Sequence, residues 1–149
     1  MTSDFKIESG TLFEVIETVF KTMAKISPVP SAPASSSGPI ATGIISMTGD
    51  RRLILVVGMG EGLAILLAKR ILQEEIQAWN PNVQDVVGEI CNVIAGNLKR
   101  HLMPGLKLGL PTVVHGTEYE IGTSRMLPSH LEEFTCEGHL LRIRVGCEV

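Results

Sequence analysis

Val15, Ile16, Val19, Phe20 and Met23 recur at helical spacing and predict a helix over about residues 12–25. Thr11-Leu12-Phe13-Glu14 precedes them as a capping box, a hydroxyl followed three residues later by a carboxylate. The pattern then changes to a β-branched and aliphatic one over residues 41–48 and 51–57, with Gly49-Asp50 between them as turn chemistry, which predicts a hairpin. Helical periodicity returns over residues 60–73 through Leu63, Ile65, Leu66, Ile71 and Leu72. Asn80-Pro81 supplies a cap and a proline at the first helical position, with Asp85 in the first turns. A long helix is expected to follow over about residues 81–102, ended by Pro104-Gly105. Residues 110–149 read as strands with a turn at Glu137-Gly138.

Between the first helix and the hairpin, residues 27–39 are almost entirely Pro, Ser, Ala and Gly and are expected to form a flexible surface loop. A weak internal repeat sets Val15-Ile16-Glu17-Thr18-Val19-Phe20 beside Val87-Gly88-Glu89-Ile90-Cys91-Asn92, each stretch preceding strand-rich sequence. The expected fold is α+β in one domain, residues 1–149: a mostly antiparallel sheet covered by three helices.

Composition narrows the function. The chain has 149 residues, 44% hydrophobic and 19% charged, the profile of a soluble globular protein. A net charge of −3 without a Lys/Arg run gives no footprint for nucleic acid. Residues 1–6 lack the pattern of a signal peptide, and runs such as residues 53–57 are too short to span a bilayer. Cys91, Cys136 and Cys147 are odd in number and unrelated in spacing, which predicts free thiols in a reducing cytoplasm. His101, His115, His130 and His139 have no zinc-type spacing, so no metal is expected on this chain.

The chemistry is expected on the third helix. Val83, Val86, Val87, Ile90, Ile94 and Leu98 form its apolar stripe. Opposite lie Asp85, Gly88, Glu89, Asn92, Ala95, Gly96 and Lys99, a face poor in the residues that usually fill a solvated helix. A helical glycine costs about 1 kcal/mol relative to alanine, so Gly88 and Gly96 on one exposed face call for a reason. One reason is to bare the backbone around Asn92 so that a partner can approach it and Glu89. The other is close packing against another element of the same chain. Asn97, on the apolar side, is expected to tie down nearby backbone, and Cys91 to be a small core residue.

Residues 85–99, Asp-Val-Val-Gly-Glu-Ile-Cys-Asn-Val-Ile-Ala-Gly-Asn-Leu-Lys, resemble the signature helix of the CheX chemotaxis phosphatases, relatives of the CheC and flagellar-switch phosphatases. Residues 43–49 and 110–116 are similar to family strands. The resemblance implies a CheC-like fold, a homodimer, a cytoplasmic location and hydrolysis of the aspartyl-phosphate of a CheY-type response regulator. Asn92 would hold the attacking water, and Glu89 would pair with the receiver's lysine; a general-base role for Glu89 ranks lower. Asp85, Gly88, Gly96 and Lys99 would complete the partner-contact surface. The receiver would bring the Mg²⁺, with no cofactor on this chain. CheC-type relatives often carry two Glu-x-x-Asn pairs; here the first helix has Glu17 but Phe20 in place of the amide, which leaves one site and makes Phe20 a core residue.

Two rival readings remain at this point. Gly58-Met59-Gly60-Glu61-Gly62 follows a strand and opens a helix, but Leu63 stands where a dinucleotide fingerprint needs its third glycine. The other is a non-catalytic adaptor of the same fold that binds a receiver domain or another signalling partner.

Overall fold

The computed structural model describes residues 7–30, 38–117 and 126–148. Helix α1 (Thr11–Ala24) begins one residue before its expected start, and the capping box is not its cap: Gly10 caps it in the left-handed conformation, without a side-chain bond. Thr11 is already helical, and Glu14 donates its N–H to the Gly10 carbonyl at 3.0 Å. Lys25 closes the helix in the left-handed conformation, and the Ile26 N–H reaches the Phe20 carbonyl at 3.2 Å while its side chain is buried.

Strands β2 (Ile40–Thr48) and β3 (Arg52–Gly60) form the expected hairpin, and α2 (Glu61–Leu72) follows directly. Helix α3 (Pro81–Leu98) is shorter than expected, because a 3₁₀ turn at Lys99–His101 takes over before Pro104. Short strand β4 (Lys107–Leu108) and strand β5 (Thr112–Gly116) then lead to the hairpin of β6 (Met126–Cys136) and β7 (His139–Glu148). Glu137 and Gly138 turn that hairpin with φ of 52° and 82°, as the sequence predicts. Within the segment expected as a loop, Val29–Pro30 instead forms edge strand β1 against β6; residues 31–37 lie outside the described ones.

All registered pairings are antiparallel, in the order β1-β6-β7-β3-β2-β4, with β5 also on β2. The repeat seen in sequence has a structural counterpart. Hairpins β2–β3 and β6–β7 meet through β3 and β7, each hairpin follows a helix (α1 or α3), and each receives a short strand from the other half, β1 on β6 and β5 on β2.

The register explains where the core lies. Ala41, Met59 and Leu141 are aligned across the sheet, as are Gly43, Val57 and Ile143, then Ile45, Leu55 and Val145, then Met47, Leu53 and Cys147. Because strand side chains alternate, this set shares one face, and all of its apolar side chains are buried. Helices α1, α2 and α3 pack on one another, α2 and α3 rest on this face, and Phe13 of α1 stacks on Phe134 of β6 at 6.1 Å. Phe20 is fully buried, as expected, and Glu17 pairs with Lys21 at 3.2 Å. Among the described residues no helix is long and apolar enough to cross a membrane.

Candidate active site

Helix α3 is fixed at three places. At its start, the Asn80 side chain accepts the Val83 N–H at 3.0 Å, and Pro81 sits in the first turn. Asp85 stands beyond that turn, which contains no acidic residue. Midway, α3 approaches β2 so closely that a Cβ on Gly43 would lie 3.1 Å from Cβ of Cys91. Near its end, Asn97 Nδ2 donates to the Val93 carbonyl at 2.9 Å, the backbone-tying role its position predicts. All six residues of the expected apolar stripe are buried, and Cys91 with them.

Glu89 and Asn92 occupy the outer side, Glu89 exposed and Asn92 half-buried. Three helical residues separate them by roughly 60° of rotation and 4.5 Å of rise, so both address the same space. Among the described residues neither side chain has a hydrogen-bond or ion-pair partner within the chain. They line an open groove of about 460 Å³ between α3 and the segment entering β5, together with Gln84, Asp85, Gly88, Leu110, Pro111 and Val113.

Gly88 requires a correction. It is buried, not exposed, and a Cβ there would sit 3.5 Å from Val113 and 3.7 Å from Pro111. It packs against the segment entering β5, although at these distances an alanine would make only ordinary contact, and it lines the groove beside Asn92. Ala95 is likewise fully buried, so the polar strip is narrower than the helical wheel suggests. Gly96 faces Leu108, whose Cδ1 would be 4.0 Å from an added Cβ, and does not line the groove. Lys99 belongs to the 3₁₀ turn and lines a separate hollow with residues 100–106. Of the four expected partner contacts, Asp85 and Gly88 lie with Glu89 and Asn92; Gly96 and Lys99 do not.

The groove is acidic. Its described lining holds two carboxylates, two carboxamides and no Lys, Arg, His, Ser, Thr or Cys. Such a surface offers nothing to neutralise a bound phosphate and no hydroxyl or thiol nucleophile, but it suits a cationic group brought by a partner.

The sequence reading missed two features. Leu110, 91% exposed, stands at the lip of the groove. At the start of α3, the Trp79 and His115 rings stack at 3.9 Å and 5°, and His115 Nε2 hydrogen-bonds Glu61 at 2.6 Å. This clamp joins the α3 entry, the end of β5 and the first turn of α2. Only the fold brings these distant positions together. Gly58 and Gly60 lie in the antiparallel ladder before α2, and a Cβ on Gly62, the second residue of α2, would approach the His139 ring at 2.5 Å. The strand entering α2 is thus not the parallel strand that dinucleotide binding requires.

The family model described as Chemotaxis phosphatase CheX matches residues 41–135, which include α3 whole and both walls of the groove. The chain belongs to the CheX family. The chemotaxis protein CheX from Vibrio vulnificus has the same fold, with a TM-score of 0.82 at 26% identity over 94% of this chain and 95% of that one. A CheC-like superfamily protein from a Shewanella species matches at a TM-score of 0.79 and 23% identity over 100% of both chains. The CheX–CheY–BeF3–Mg+2 complex from Borrelia burgdorferi matches at a TM-score of 0.75 and 16% identity over 97% and 100%. At their identities, these last two establish the CheC-like fold alone. A comparison with curated proteins gives no match.

Proposed function

We propose that this CheX-family chain hydrolyses the aspartyl-phosphate of a CheY-type receiver domain, with Asn92 positioning the attacking water and Glu89 docking onto the receiver's lysine. The observation that carries the reading is a carboxamide beside a carboxylate, both without a partner among the described residues, on a groove whose described lining holds no cation. A site of this charge is incomplete for phosphoryl transfer, so the substrate must supply the positive charge. A receiver domain with its bound Mg²⁺ and lysine would do so, and the Borrelia relative solved together with CheY and Mg+2 is consistent with such a partner.

The chemistry asks little of the enzyme beyond alignment. A carboxamide accepts one hydrogen bond through its oxygen and donates through its nitrogen without carrying charge, so Asn92 can hold water in line without repelling the phosphoryl group. The water oxygen bonds to phosphorus as the bond to the aspartyl oxygen breaks. The electron pair leaves with the aspartate carboxylate, and the water proton ends on inorganic phosphate. Glu89, exposed on the outer side of α3, would pair with the receiver lysine and set the register of the two surfaces.

Mixing the purified chain with a phosphorylated receiver and Mg²⁺, while following phosphate release, tests the proposal. Faster loss of phosphate than from the receiver alone supports it. Complex formation with unchanged decay would make the chain an adaptor.

A further inference from the structure

Four large apolar side chains are exposed among the described residues, Val29, Leu72, Leu110 and Leu131. Single exposed leucines are ordinary. Two of these, however, flank the same carboxylate. Leu110 lines the Asn92 groove on one side of α3. Leu72, 39% exposed at the end of α2, lines a second hollow of about 420 Å³ on the other side, with Met23, Ile71 and Val86. Glu89 and Asp85 line both, so the ridge of α3 carries the acidic groups and each flank carries an apolar one.

Leu110 is presented on a tethered segment. The N–H of Gly109 donates to the Ser46 carbonyl of β2 at 2.8 Å, and Pro111 packs toward Gly88. A Cβ on Gly109 would meet Ser46 Oγ at 2.8 Å and the Ser46 carbonyl oxygen at 3.4 Å, so the segment lies close against β2. The leucine is therefore held in water, which suits a contact organised in advance for another surface.

We infer that Leu110 and Leu72 are the apolar anchors that seat the receiver domain across α3, one on each side of Glu89. This rests on the proposed function and specifies its docking surface. The matching receiver surface presents apolar side chains to both leucines, with Lys or Arg facing Asp85, Glu89 and Glu74 of the second hollow. An apolar contact on each flank of a charged pair fixes orientation as well as affinity. Charge disfavours a second copy of this chain as the occupant, because among the described residues neither hollow is lined by Lys or Arg and a face-to-face pairing would oppose like charges.

Leu110→Gln and Leu72→Gln test this by steady-state phosphate release from a phosphorylated receiver, with sedimentation of each variant alone. Each substitution is expected to raise KM about tenfold, with kcat within about twofold, and the pair to multiply. An unchanged KM for both variants, or altered self-association with KM unchanged, overturns the inference while leaving the phosphatase intact. Wild-type protein that fails to accelerate dephosphorylation removes the underlying function, and the inference with it.

Discussion

Gly88 faces Val113 with nothing between them: a methyl placed on the glycine would come to rest 3.5 Å from Cγ2 of the valine, in ordinary contact. Helix α3 thus carries a glycine where alanine fits. The missing atom lies in the lining of the groove shared with Glu89 and Asn92.

Gly88→Ala is expected to stabilise the fold by up to about 1 kcal/mol, through helix propensity. The added methyl fills space beside Asn92, so phosphate release should fall although the protein melts higher. Thermal unfolding and turnover on the same sample separate the two effects.

Gly43→Ala should act oppositely. Its methyl would meet Cβ and Sγ of Cys91 at 3.1 and 3.3 Å, and the crowded atoms belong to α3 itself. Overpacking of this kind typically costs about 1–3 kcal/mol, so the urea midpoint should drop. The double variant with Cys91→Ala should recover part of that loss.

Asn80→Ala removes the acceptor for the Val83 N–H and leaves Pro81 in place. A loss of about 1 kcal/mol is expected, read as a lower melting temperature.

The helices and both hairpins were legible because their periodicity is set by one buried face, and the six apolar positions of α3 are all in the core. The third helix ran too long in the sequence reading because Lys99-Arg100-His101 continues a helical pattern that the 3₁₀ turn tightens before Pro104. Gly88 and Ala95 were misplaced for a different reason. A helical wheel separates a helix from a sheet beneath it, but β5 covers a second side of α3, and only the β2–β5 pairing puts it there. Glu89 and Asn92 survived this error because they point between the two covered sides. Leu110 carried no signal, since an apolar residue before a strand reads as part of that strand.

Burial pushes the Cys91 thiol from its ordinary value of 9.0 up to about 12. Cys136 rises likewise to about 12, by burial first and the charge of Glu137 second. Both folded values lie above the unfolded one, so this contribution to stability is complete below about pH 9 and is lost as the pH climbs toward 12. Urea midpoints should fall over that window, and fall less for the Cys91→Ala, Cys136→Ala protein. A thiol reagent at about pH 8 should modify the buried cysteines only after denaturation.

The central claim is tested most directly by Asn92→Ala, with turnover measured on a phosphorylated receiver and affinity on the same receiver loaded with beryllofluoride and Mg²⁺. If Asn92 positions the water as proposed, its removal should cost roughly 10²- to 10³-fold in rate while affinity stays within about threefold. Glu89→Ala should weaken both. Turnover by Asn92→Ala at the wild-type rate would contradict the account.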